Sequence, residues 1–155
     1  MLPNRALIRN EQGVSLVEVM IALLVLLLVF IGLMQAALLG IDSNMRNILR
    51  DEGIATATSV MEEERNALFT QLRSDTGAIP SGADCPAAFT IGSVVQRDVR
   101  SITGKDFCVT VNCMERGGDN DCTTDDADTK QMTVFVGWRW KGEDYTHTVS
   151  TLRRR

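Results

Sequence analysis

The sequence lacks the motifs on which most enzyme active sites are built. No Gly-x-Ser-x-Gly, phosphate-binding loop, HExxH or CxxC pattern occurs among its 155 residues, and His147 is its single histidine. The formal net charge of −4 is the opposite of the basic surplus that a general nucleic-acid binder carries. These absences disfavour an enzyme and a nucleic-acid-binding protein, and they give no reason to expect an organic cofactor.

Charge is also missing from a long stretch near the N-terminus. Residues 19–34 contain no charged or strongly polar side chain, and mostly apolar residues continue to Ile41. As a helix, residues 14–41 would be about 42 Å long, which exceeds a bilayer core of about 30 Å. A secretory signal would end after roughly 7–15 apolar residues with a small-x-small cleavage site. The length therefore predicts a retained membrane-spanning helix over residues 14–41.

The flanks of this span predict its orientation. Arg5 and Arg9 outnumber Glu11 in the short segment before it, and a cationic flank normally stays in the cytoplasm. Arg46 and Arg50 follow the span within a few residues and weaken this asymmetry. We expect a single-pass membrane protein whose C-terminal domain, residues 42–155, lies outside the cytoplasm.

All four cysteines lie beyond the span, which indicates an oxidising compartment and up to two disulfides. Four cysteines allow three connectivities. We favour Cys85–Cys108 and Cys113–Cys122, of which the second would close an acidic loop.

Glu18 is the one ionisable residue near the start of the span. Such a residue costs several kcal/mol inside a bilayer unless it reaches the interface or finds a partner. On its own, Glu18 is equally well interpreted as an interfacial glutamate in contact with water or as a functional group.

The residues around Glu18 resolve this ambiguity through a resemblance. The string GVSLVEVMIAL, from Gly13 to Leu23, closely resembles the processing motif of type IV prepilins. The resemblance implies that residues 1–13 are a leader, that prepilin peptidase cuts between Gly13 and Val14, and that the new amine of Val14 is methylated. It also implies that Glu18, the fifth residue of the mature chain, acts in subunit assembly. Val14 departs from the motif, in which phenylalanine or methionine is commoner.

The resemblance implies a structural subunit of a pilus. Its partners would be major and minor pilins, prepilin peptidase and the inner-membrane assembly machinery, and it would move from the inner membrane to the cell-surface pilus. The closing segment, residues 132–155, is similar to the end of minor pilins of the PilV type, the pilus modification proteins. The alternatives are a pseudopilin of a type II secretion system and a signal-anchored periplasmic binding domain. The spacing of Glu18 after Gly13 argues against the last of these.

Periodicity predicts an α+β fold in which a long N-terminal helix packs on a small antiparallel sheet. Apolar residues at helical spacing, with no proline among them, favour one helix from Val14 to Leu72. Many major pilins have a proline within the span, so its absence favours a minor pilin or a pseudopilin. Apolar alternation predicts strands at residues 89–95, 106–112, 131–141 and 145–152. Turn residues predict the last hairpin turn at residues 141–144.

Three further features are interpreted as structural rather than as functional sites. The segment 117–128 is rich in aspartate and could offer oxygen ligands to calcium, but Thr123 breaks the EF-hand pattern, so a solvated acidic loop is favoured over a metal site. Trp138 and Trp140 share one strand face and are expected in the core rather than at a sugar site. The terminal arginines, residues 153–155, are expected to be a solvated tail. The candidate calcium ligands are Asp119, Asp121, Asp125, Asp126 and Asp128.

The first prediction concerns processing. In its host the protein should lose residues 1–13, because the basic leader ends at the glycine after which prepilin peptidase cuts. Intact-mass analysis of the native protein will detect the shortened chain and the added methyl group. A mature protein that keeps residues 1–13 in a strain with active peptidase would contradict the assignment of Gly13 and Val14.

Overall fold

The chain is described here from a computed structural model that covers residues 15–115, Cys122 and residues 128–155. Its contacts divide it after Ser43 into two compact units. One long helix and a four-stranded sheet form the fold: α1 (Leu16–Asn66), a 3₁₀ turn (Phe69–Gln71), β1 (Ser93–Val99), β2 (Ile102–Glu115), β3 (Thr129–Trp140) and β4 (Glu143–Arg154).

The part of α1 in the first unit is apolar and exposed all around. Every residue from Ser15 to Ile41 is exposed. The most apolar 18-residue window of the helix has a mean hydropathy of 3.1 and none of it is buried, so α1 is long and apolar enough to cross a membrane by length and composition. An apolar surface of this extent marks contact with a membrane or with other proteins. The expected long apolar N-terminal helix is confirmed.

The part of α1 in the second unit packs on the sheet through one narrow stripe. Leu49, Gly53, Ala57 and Met61 follow one another at intervals of four and are all buried, which is the burial pattern of an amphipathic helix. Leu49 has no exposed surface, and burying such a side chain contributes about 1.5–3 kcal/mol. This stripe meets the apolar face of the sheet in a single core.

The helix ends at Asn66, so the prediction that it continues to Leu72 was wrong. Leu68 has extended backbone angles, with φ −65° and ψ 142°. The guanidinium of Arg153, in β4, donates hydrogen bonds to the carbonyl oxygens of Glu64 and Ala67. Glu64 lies in the last turn of α1, whose carbonyls have no helical partners, and Ala67 directly follows the helix, so Arg153 acts as a C-terminal cap from the far end of the sequence. Arg153 is therefore half-buried and not part of a solvated tail.

The sheet has the order β1-β2-β3-β4, with every neighbouring pair antiparallel. The antiparallel α+β architecture is the one that the periodicity predicted. The alternating residues of β3 that face the core are buried, as expected: Met132, Val134, Val136 and Trp138. Trp138 is 3% exposed, which confirms a core position.

The first strand begins at Ser93 rather than at residue 89. The ring of Phe89 instead packs on the sheet at Gly137. The approach is so close that a Cβ at Gly137 would lie 2.3 Å from the Cε2 atom of Phe89. The preceding segment also covers part of the edge of β2. Asp75 exchanges backbone and side-chain hydrogen bonds with Val111 at 2.8 and 2.7 Å, beyond the last residue that β1 pairs. Edge groups of β2 that β1 leaves open are thus partly satisfied.

A two-residue turn joins β3 to β4. Lys141 and Gly142 have positive φ angles of 50° and 82°, and Trp140 pairs with Glu143 on either side of them. Two positive φ angles in a two-residue loop match the type I′ turn, whose twist suits a hairpin. Next to the turn, the Arg139 guanidinium donates to the Asp144 carboxylate at 2.8 Å, and this hydrogen bond lowers the pKa of Asp144.

The second prediction tests the contact between α1 and β3. A Cβ at Gly53 would lie 2.5 Å from Cζ3 of Trp138. Gly53→Ala should therefore lower the free energy of unfolding by about 1 kcal/mol or more, because overpacking outweighs the gain in helix propensity of about 1 kcal/mol. Urea unfolding of the full chain in detergent micelles, followed by tryptophan fluorescence, measures this.

Gly40→Ala is the matched control, since a Cβ at Gly40 meets no atom within 4 Å. It should leave the unfolding midpoint unchanged or raise it, because it gains helix propensity without a clash. Equal losses for the two variants would mean that contact with Trp138 is not the cause.

Candidate functional site

Of the three residues predicted to act in processing and assembly, the structure describes Glu18. Gly13 and Val14 are outside the described residues. Glu18 lies in the first turn of the helix, two residues after Leu16. The first turn has backbone N–H groups without helical partners and the positive end of the helix dipole, so it is a favourable place for a carboxylate.

The surroundings of Glu18 are apolar and open. Its neighbours Val17 and Val19 are 61% and 47% exposed, and the apolar surface continues from there to Ile41. This surface is apolar over most of its residues. It can bury apolar area against lipid or against similar helices, with one carboxylate at its N-terminal end.

The four cysteines form two disulfides, Cys85–Cys108 and Cys113–Cys122, which are the pairs that the sequence analysis favoured. Cys108 and Cys113 have no exposed surface. The first bridge ties the segment before Phe89 to β2. The second joins β2 to the segment that leads into β3.

A buried ion pair, which the sequence analysis missed, lies beside the second disulfide. Lys130 has no exposed surface, and its Nζ atom is 3.5 Å from a carboxylate oxygen of Glu115, opposite it in the sheet. Nζ also lies 3.3 Å from the carbonyl oxygen of Cys122 and 5.0 Å from the ring centre of Phe69. The sequence did indicate that Lys130 is buried. Lys130 lies two residues before Met132, so the alternation of β3 places both side chains on the buried face.

The solvated acidic loop at residues 117–128, and the less favoured calcium site there, remain predictions. Asp119, Asp121, Asp125 and Asp126 lie outside the described residues. Asp128 is exposed, and its carbonyl oxygen accepts a hydrogen bond from the backbone N–H of Arg155 at 3.1 Å.

The third prediction concerns the buried pair. Lys130→Met should destabilise the second unit by about 3 kcal/mol or more, because it leaves the Glu115 carboxylate buried without its cation. Lys130→Met with Glu115→Gln should recover part of that loss. Urea unfolding of the oxidised full chain will give both values, and the Glu115→Gln single variant completes the double-mutant cycle that isolates the pair. A single variant as stable as wild type would show that the pair contributes nothing.

Comparison with known proteins gives one result for the segment that contains Glu18. A family model described as the prokaryotic N-terminal methylation motif matches residues 8–34. The comparisons with curated proteins and with solved structures returned no match. The motif implies processing by prepilin peptidase and assembly into a pilus or pseudopilus, and it fits inner-membrane anchoring through α1. The motif and the fold together support a type IV pilin-like or pseudopilin-like protein, a structural subunit rather than an enzyme.

Proposed function

We propose that this chain is a minor type IV pilin, a subunit that prepilin peptidase processes and that is then incorporated into the pilus as part of its assembly or tip complex. The observation that carries the proposal is the methylation motif over residues 8–34, with Glu18 in the first turn of an exposed apolar helix. Before assembly the mature protein would be anchored in the inner membrane, with its sheet domain outside the cytoplasm.

Two sequence features support a minor pilin over a major one. Residues 14–72 contain no proline, whereas many major pilins have one within the span. The hairpin of β3 and β4 has the tryptophan-containing strand, Gly-bearing turn and final Thr-Leu-Arg that resemble the PilV type. A type II secretion pseudopilin is the second candidate, because the same motif and helix serve both systems. Neighbouring pilus genes or secretion genes would separate the two.

The proposed role of Glu18 follows from the electrostatics of an apolar interior. In the membrane the carboxylate can lie near the cytoplasmic face, where water and headgroups solvate it. Between packed apolar helices an unpaired carboxylate would cost several kcal/mol. By the resemblance to prepilins, Glu18 of an incoming subunit pairs with the Val14 amine of one already in place. The pair would offset desolvation and fix the axial register between subunits.

The fourth prediction tests this role. Glu18→Ala and Glu18→Gln should leave the leader cleaved and the outer domain folded, but should reduce incorporation into pili by more than about tenfold, since each leaves a buried amine without its carboxylate. The measurement is the ratio of this subunit in sheared pili to its amount in the inner membrane.

Asp51→Asn is the matched control, because Asp51 is an exposed acidic residue of the same helix outside the apolar segment. It should leave the ratio unchanged. Recovery of Glu18→Ala from pili at wild-type levels would make Glu18 a merely interfacial residue. Recovery of the wild-type protein only with a secretion pseudopilus would favour the second candidate.

A further inference from the structure

The face of the sheet that points away from the core carries no charged residue over its central part. Its residues, which we call the neutral face, are exposed or half-buried and alternate with residues of the core. Charged residues make up 23% of the chain, so their absence here is a property of this face. Strand register aligns it in rows across β2, β3 and β4: Thr110, Phe135 and Thr148; Asn112, Thr133 and Ser150; Met114, Gln131 and Leu152.

A cavity of about 340 Å³ opens at one end of the neutral face. This volume lies within the range of about 300–1,000 Å³ that is typical of small-molecule sites. The segment before β1 contributes one aromatic ring to the cavity and β3 contributes another, with threonine hydroxyls beside them. Its described lining residues, none of which is charged, are Ala88, Phe89, Thr110, Phe135, Thr146 and Thr148.

The wall that carries Phe89 is fixed to the sheet without a ligand. The disulfide Cys85–Cys108 joins the start of this wall to β2. Next to that disulfide, the ammonium group of Lys105 in β2 donates a hydrogen bond to the carboxylate of Asp84 at 2.7 Å. The ring of Phe89 itself packs on β3. A wall held in this way loses little conformational freedom when a ligand binds, which favours affinity.

The cavity lining suits a ligand that has both hydroxyl groups and an apolar face. The hydroxyls of Thr146 and Thr148 make no hydrogen bond within the described part of the chain, and each can donate and accept. The hydroxyl of Thr110 donates to a backbone carbonyl and can still accept. Phe89 and Phe135 present flat apolar surface. A pyranose ring matches both features, because hydroxyls surround its edge and C–H groups cover its faces.

We propose that this cavity binds a pyranose ring of a neutral glycan. A charged ligand would find no opposite charge among the described lining residues. A purely apolar ligand would bury the threonine hydroxyls without partners, which is unfavourable. A protein surface is the competing occupant, but threonine is under-represented among the residues that dominate protein interfaces. The proposal goes beyond the pilin function and concerns the second unit alone.

Binding is measured by NMR on the full chain in dodecylphosphocholine micelles, whose headgroup contains no sugar. The probes are methyl glucoside, methyl galactoside, methyl mannoside and N-acetylglucosamine. At least one of them should shift the methyl signals of Thr146 and Thr148 saturably. Cyclohexanol has a ring but a single hydroxyl, so it should require concentrations about tenfold higher, because it leaves threonine hydroxyls without partners.

Matched variants assign the shift to the cavity. Phe135→Leu keeps the apolar bulk but removes the flat ring, and should weaken sugar binding by about tenfold. Thr148→Val removes only a hydroxyl and should also weaken binding by about tenfold, with Thr146 as the readout. Thr133→Val makes the same change on the neutral face outside the cavity lining, and should leave binding unchanged. Retained spectral dispersion shows that each variant is folded.

The absence of a saturable shift with all of these sugars overturns the proposal. Cyclohexanol that binds as tightly as the best sugar also overturns it, because the cavity would then be a purely apolar site. Unchanged binding in Phe135→Leu or Thr148→Val, or an equal loss in Thr133→Val, places the sugar outside the cavity. Signals that follow protein concentration and not sugar assign the cavity to a neighbouring subunit instead. None of these results bears on the Glu18 experiment, so the two proposals can fail separately.

Discussion

The close approach of α1 to β3 is the contact on which the second unit depends. Gly53 leaves the space that the ring of Trp138 fills, and the residues one turn away on either side, Leu49 and Ala57, are buried beside it. Trp138 in turn stacks on Tyr145 of β4 and lies 5.9 Å from the ring of Phe107 of β2. One helical position without a side chain therefore lets a single tryptophan connect the helix to three strands of the sheet.

Local periodicity was enough to predict the main elements of this arrangement. The alternation of β3 gave both its face and its approximate ends, because hydrophobic alternation reports directly on burial in a sheet that is covered on one side. The end of α1 could not be predicted in this way. Leu68 and Leu72 continue the helical spacing, and Leu72 is fully buried, but it enters the core from an extended segment. The cap that favours ending the helix at Asn66 comes from Arg153, which no local pattern connects to it.

The candidate sites show the same division between local and long-range information. The processing motif is contiguous, so Gly13, Val14 and Glu18 could be named from the sequence alone. The Lys130–Glu115 pair could not, since its members are 15 residues apart and meet only through strand register. Sequence reasoning treated Arg46 and Arg50 as an imperfection in the charge asymmetry of the span. That both line one cavity with His147 of β4 depends on the fold.

A single helix can meet such different demands because its backbone hydrogen bonds are internal. An exposed sheet edge could not enter an apolar environment without losing partners for its N–H and C=O groups, whereas a helix presents only side chains. The side chains alone then decide what each part of α1 contacts. From Ser15 to Ile41 the whole circumference is exposed, and apart from Glu18 it is almost entirely apolar, which suits lipid or other helices. From Leu49 to Met61 only one stripe is buried, and most of the remaining residues are polar. Glycine at position 53 lowers helix propensity by about 1 kcal/mol, and this cost is small beside the stability gained from the packing that it permits.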